Sequence, residues 1–218
     1  MAIALDASTA PTNTTGTSLT KTHTAAGANR LAVVTVTITS TNDWITGVTY
    51  DTVAMTRLAT LAGSLGRRIY LYYLLAPNTT ASASVVASSS DSTTIAMGIV
   101  TYTGVSQSGF PDASTTSERL NVQNPTTTLS NAADAWTHLC ADEQLGNANP
   151  GAGTGSTSRG VDAGSQTGQF DSNAAVGAGA GSMQITSDDP SRDWIIIMHS
   201  FVPPSTPTGG LLMMQMVQ

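Results

Sequence analysis

The side chains that could do chemistry here are few and scattered. The histidines are His23, His138 and His199, and the single cysteine is Cys140. Cys140 follows His138 at i+2, so in an extended strand both project from one face and a Cys–His dyad is geometrically allowed. A working dyad needs an exposed, activated thiolate. The local pattern sets Trp136, His138 and Cys140 against Ala135, Thr137 and Leu139, which describes a core strand with Cys140 as a small buried hydrophobe. The three histidines are far apart in sequence and read as isolated strand residues rather than as a metal cluster. Asp142 and Glu143 are adjacent carboxylates, but neighbours in a strand face opposite ways, which argues against a paired acid/base site. Asp188, Asp189 and Asp193 surround a proline turn and carry oxygens of the kind Ca²⁺ takes; an Asp-rich turn capping a strand is the plainer reading. No Gly-x-Ser-x-Gly elbow and no phosphate loop occur, and glycine-rich Gly151 to Gly160 lacks the lysine and the strand–helix context of one. The expectation is a chain with no catalytic residue, no metal and no cofactor.

Two features point to binding instead. Trp136 and Trp194 sit in apolar runs and are expected to pack in a core. Trp44 follows a polar loop and is the tryptophan expected to stand exposed, a candidate stacking surface for a glycan. The second feature is the C-terminal end, where Leu211, Leu212, Met213, Met214, Met216 and Val217 follow a Pro/Gly linker. A free apolar tail is an aggregation hazard, and methionines adapt to irregular grooves. These six residues are the candidate contact with a partner subunit, as an added strand or a short helix.

The elements that must position these residues are strands. In the stretch from Arg67 to Pro77, Ile69, Leu71, Tyr73 and Leu75 alternate with Arg68, Tyr70, Tyr72 and Leu74, and Pro77 ends the run. This segment is predicted to be a central strand. Arg30 to Thr39 sends Ala32, Val34, Val36 and Ile38 to a core and Val33, Thr35, Thr37 and Thr39 away from it. Thr94 to Thr103 sets Ile95, Met97, Ile99 and Thr101 against Ala96, Gly98, Val100 and Tyr102. Arg192 to Val202 is apolar on both faces, which suits a central strand or a face covered by a partner. Ala81 to Ser88 reads as a separate strand of small residues. Residues 104 to 125 and 146 to 182 read as long loops rich in Gly, Ser and Thr, with weak strands inside the second. No segment holds a helical period over three turns. Short strands with a turn signal every eight to twelve residues argue an all-β, antiparallel sandwich. The organisation expected is an N-terminal arm or first edge strand over 1–15, one domain over 16–202, and a linker with its apolar tail over 203–218.

Composition narrows the function classes. Of 218 residues only 10% are charged, the net charge is −6, and Ser and Thr make up about a quarter of the chain. Phosphate contacts need clustered Lys and Arg; only Arg67 and Arg68 cluster, so neither nucleic acid nor an anionic membrane surface is an expected partner. The N-terminus lacks the basic and apolar regions of a secretory signal, and no apolar run approaches membrane-spanning length. A surface that is polar but uncharged suits an exterior protein. A virion component, made in a host cytoplasm and released by lysis, reconciles that surface with the missing signal.

Four motifs recur in a familiar order: Val48-Thr-Tyr-Asp-Thr-Val-Ala-Met-Thr-Arg57, Ile69-Tyr-Leu-Tyr-Tyr-Leu-Leu-Ala-Pro77, Gly98-Ile-Val-Thr-Tyr-Thr-Gly-Val-Ser-Gln107 and Asp193-Trp-Ile-Ile-Ile. Over 16–202 the chain resembles jelly-roll-like β-sandwich domains found in phage structural proteins and bacterial surface proteins. The resemblance implies a surface-displayed, non-enzymatic module and carries no active-site residues. The reading that follows is an auxiliary or decoration subunit on the head or tail surface of a phage, present in several copies or as a homo-oligomer. Its partners would be other virion proteins. The alternative is a glycan-binding adhesion module using Trp44; a hydrolase on a sandwich scaffold ranks third.

Overall fold

The computed structural model describes residues 2–145, 150–189 and 192–205. Every regular element among them is a strand, and every pairing is antiparallel. The strands are β1 (Ala4–His23), β2 (Leu31–Ile38), β3 (Ile45–Tyr50), β4 (Val53–Ala54), β5 (Thr56–Ala62), β6 (Arg68–Leu75), β7 (Ala83–Thr103) and β8 (Ala113–Arg119). They continue as β9 (Thr126–Asn131), β10 (Trp136–Glu143), β11 (Gly151–Ala152), β12 (Thr157–Asp162), β13 (Thr167–Asp171), β14 (Gly179–Thr186) and β15 (Trp194–Phe201).

The first sheet runs β4-β3-β7-β2-β6-β5, with β1 along the remaining edge of β7. The β7 strand is 21 residues long, and the expected break at its Ser-rich middle does not occur. Its first part pairs with β3 and its second with β2, while β1 follows it from end to end. The β1 register shifts three times, between Leu5 and Ala7, Thr9 and Thr12, and Gly16 and Ser18. Shifts of this kind bend and twist a strand pair. The bend brings both ends of β7 to one core, where Val85 and Ala87 join Ile95, Met97 and Ile99 around Val34, Val36, Tyr50 and Tyr70. Residues 4–15 are therefore the first part of an edge strand, the second of the two expectations for them.

The second sheet runs β12-β13-β10-β15-β8 and the third β11-β14-β9. The alternation of β15 explains the stacking. Ile195, Ile197 and Phe201 meet Leu31, Val33, Leu71 and Tyr102 of the first sheet, while Trp194, Ile196 and Met198 meet Leu129, Met183 and Ile185 of the third. The doubly apolar strand thus lies centrally, between β10 and β8, covered on both faces by its own chain. The structure is an all-β antiparallel sandwich with an added layer on the outer face of the second sheet. The sequence reading also differs in two places: Thr35 and Thr37 of β2 do not point into solvent but are buried against the second sheet, and the stretches 104–125 and 146–182, expected as long loops, contain β8 and β11 to β13 with the start of β14.

Candidate functional site

The chemistry-bearing side chains meet in the seam between the first two sheets. On β10, Trp136, His138, Cys140 and Asp142 share the face turned to the first sheet. On β13, Thr167, Gln169 and Asp171 do the same, and the ladder sets Asp171 opposite His138, Gln169 opposite Cys140 and Thr167 opposite Asp142. From the first sheet come Tyr102 of β7, Thr35 and Thr37 of β2, and Arg67 just before β6. Part of the seam is hydrocarbon; this part is polar and buried, with Arg67 keeping a little exposure.

Each polar row has its own partners. Gln169 Nε2 donates to Thr35 Oγ1 at 2.9 Å, and the hydroxyls of Thr37 and Thr167 lie 2.7 Å apart. Arg67 Nη1 donates to Asp142 Oδ1 at 3.0 Å and to the Ser165 carbonyl at 2.7 Å, and its Nη2 reaches Gln166 Oε1 at 3.1 Å. One guanidinium nitrogen serves Asp142 where a fork would use two. Burial outweighs it and pushes the carboxyl up to about 8, with the charge of Arg67 opposing. Arg159 does form the fork on Asp171, with Nε at 2.6 Å and Nη2 at 2.7 Å.

Tyr102 joins this pair to the histidines. Its hydroxyl donates to Asp171 Oδ2 at 3.0 Å and lies 2.8 Å from His138 Nδ1. A phenol has one hydrogen to give, so His138 must donate from Nδ1, which fixes its tautomer. His199 lies opposite His138 in the β10–β15 ladder, with the ring centroids 5.2 Å apart. This corrects the expectation of isolated histidines: two of the three are cross-strand neighbours. His23 is separate, held between Thr9 Oγ1 at 2.7 Å and Thr101 Oγ1 at 3.1 Å.

The Cys–His dyad does not form. Cys140 donates to the Ile197 carbonyl at 3.6 Å, and burial pushes its thiol up to about 12, the opposite of activation. Asp142 and Glu143 are both buried and do face opposite ways; Glu143 Oε1 accepts from the Leu145 N–H at 2.8 Å. The Asp188–Asp193 turn is divided among tasks: Asp189 pairs with Arg192, and Asp193 Oδ1 accepts from the Asn121 N–H at 2.8 Å. Among the described residues no group of three or more His, Cys, Asp or Glu side chains has metal-binding spacing. Trp136 and Trp194 are buried as expected. Trp44 is only partly exposed and packs against the first core, so it offers less than the free-standing platform expected of it. Leu211, Leu212, Met213, Met214, Met216 and Val217 lie outside the described residues.

A small cleft of about 150 Å³, lined by Thr37, Arg67, Thr94 and Ser165, lies at the Arg67 end of the polar seam. Two larger clefts lie elsewhere. One, of about 430 Å³, is lined by Ile3, Asp134, Trp136, Ala174 and Pro203. The other, of about 450 Å³, lies between β3 and the β5–β6 pair, with Val48, Met55 and Tyr72 below and Thr46, Arg57 and Ser88 at the rim. Comparisons with protein-family models, with curated proteins and with solved structures find no match to this chain.

Sequence reasoning missed the seam network. The alternation on β10 did place Trp136, His138 and Cys140 on one face, but Tyr102, Thr35 and Arg67 are 36 or more residues away from their partners. Nothing local announces those pairings.

Proposed function

We propose that this chain is a non-catalytic structural subunit on the surface of a phage virion, present in several copies. The observation that carries the reading is how its reactive groups are used. His138, Cys140, Asp142, Asp171 and Tyr102 are all buried in the seam, bonded to one another or to neighbours across it. Outward-facing segments such as β1, β8 and β9 display mainly Ser and Thr. Under this proposal the apolar tail, 211–217, is the contact with neighbouring virion proteins. Mass spectrometry of the purified particle tests the assignment, and deletion of 203–218 tests the tail. The reading requires stoichiometric chain in the particle and loss of incorporation on deletion; absence from purified particles refutes it.

A second reading is supported by the β3/β5 cleft. Its hydroxyl rim, the guanidinium of Arg57 and the ring of Tyr72 are the kinds of group that bind sugars. In that case the protein is a virion adhesin, and a glycan array gives specific signals that Arg57→Ala abolishes.

A further inference from the structure

The His138–His199 pair has no role in either reading, and its surroundings are unusual. Both rings are fully buried, and His138 Nε2 and both ring nitrogens of His199 lack a hydrogen-bond partner. Buried polar atoms are nearly always partnered, so three orphans in two adjacent rings need a reason. His23 offers a contrast: buried, though less deeply, it has a threonine hydroxyl on each nitrogen.

Among the described residues, the groups placed around the pair include Ser114, the ladder partner of His199 on β8. β7 presents Tyr102, β13 presents Asp171 and β12 presents Arg159. Phe201 on β15, Phe110 in the loop before β8, and Trp136 and Cys140 on β10 also stand around it. The carboxylate among these, Asp171, is already occupied by Arg159 and Tyr102. Among the described residues, the cation acting on His138 is Arg159. A proton arriving on either imidazole therefore finds no unengaged carboxylate and stands near a guanidinium or a second imidazole.

We propose that the His138–His199 pair is an acid-sensitive latch between the first two sheets: neutral rings close the seam, and their protonation parts it along the line Trp136–Tyr102–Phe201. The electrostatics run the same way. Burial, and then Arg159, hold His138 down at about 3; burial, and then His138, hold His199 well below its ordinary range. Their ordinary value is near 6.5, so folding opposes proton uptake below that pH, and each proton taken up favours the open form. The seam opens at its aromatic end, and the sheets themselves stay hydrogen-bonded.

The test is an acid titration of the full chain. Tryptophan emission and binding of a dye specific for exposed apolar surface report the seam, and far-ultraviolet circular dichroism reports the strands. The latch requires the seam signals to change at higher pH than the strand signal, by at least about 0.5 unit. His199→Phe puts an apolar ring between Phe110 and Phe201, and it should move the seam transition to lower pH by a similar amount. An unchanged transition in this variant, or seam and strand signals that change together, overturns the proposal. If His199→Phe does not fold, the imidazole resonances of the unmodified chain decide. Both rings staying neutral until the seam signals change supports the latch; either ring titrating near pH 6.5 in an unchanged fold overturns it.

Discussion

Arg67 and Asp142, 75 residues apart, meet at 3.0 Å across the seam between two sheets, with Asp142 fully buried and Arg67 nearly so. Removing Arg67 leaves Asp142, the Ser165 carbonyl and Gln166 Oε1 without the donor that serves them. Arg67→Ala is expected to cost about 1–3 kcal/mol, read from urea unfolding. Replacing both residues together, Arg67→Met with Asp142→Leu, should restore most of that loss, because the buried pair gains little over hydrocarbon of similar volume. A double variant as weak as the single one contradicts this account.

The same carboxyl shapes the alkaline side of the stability profile. Its pKa in the folded chain is raised to about 8, so from about pH 4 to pH 8 the folded form holds more protons at Asp142 than the unfolded form does. That contribution falls as pH rises through the window. The histidines have the opposite sign. His23 is lowered to about 4 and His138 to about 3, chiefly by burial, so their contribution is complete above pH 6.5 and is lost as pH falls toward those values. Each group contributes a slope of up to about 1.4 kcal/mol per pH unit inside its window. Stability should therefore peak near pH 6.5. Asp142→Asn flattens the alkaline side, and His23→Gln makes the acid side shallower by about one proton; urea unfolding between pH 4.5 and pH 8.5 measures both.

Arg159→Lys is expected to be costly despite keeping the charge. The guanidinium fork makes two parallel bonds to Asp171, and Nη2 adds a bond to Asn173 Oδ1 at 2.5 Å. An ammonium cannot reproduce that plane, and Asp171 is fully buried. A loss of about 2–4 kcal/mol is expected, at the scale of a broken buried pair. Thermal or urea unfolding checks it, and a loss below about 0.5 kcal/mol would place the fork among ordinary surface pairs.

Gly98 marks a close approach in the seam. A Cβ there would lie 2.7 Å from Gln169 Oε1 and 2.8 Å from Pro11 Cγ. Gln169 is buried and bonded to Thr35, and a proline ring has no rotamer to yield. Gly98→Ala should destabilise by about 1–3 kcal/mol, the range for overpacking. Adding Gln169→Ala should relieve the clash on one side, so the two changes should be non-additive in a double-mutant cycle.

The β-periodicity of the chain was legible wherever a strand has two chemically distinct faces. Ala32, Val34, Val36 and Ile38 enter the first core as a set, and the opposed faces of β15 fill two different cores. Legibility failed where polar residues are buried. Ser88 to Ser92 reads as a break, yet the Ser90 N–H pairs with the Trp44 carbonyl at 2.9 Å and β7 continues through it. Thr35 and Thr37 read as solvent-facing, because a threonine satisfied by another sheet looks the same in sequence as one satisfied by water. The seam depends on pairs such as Tyr102–His138 and Arg67–Asp142, whose distances only the folded layers set.

The pairing of β1 with β7 has a consequence for synthesis. Ala4 is partnered by Thr103 and His23 by Ala83, so β1 is made well before the strand that closes its ladder. Until then its Thr-rich backbone emerges from the ribosome with both edges open. A chain stalled between residues 30 and 80 would present those edges to other nascent copies, whereas release beyond Thr103 lets the hairpin-like closure proceed within one molecule.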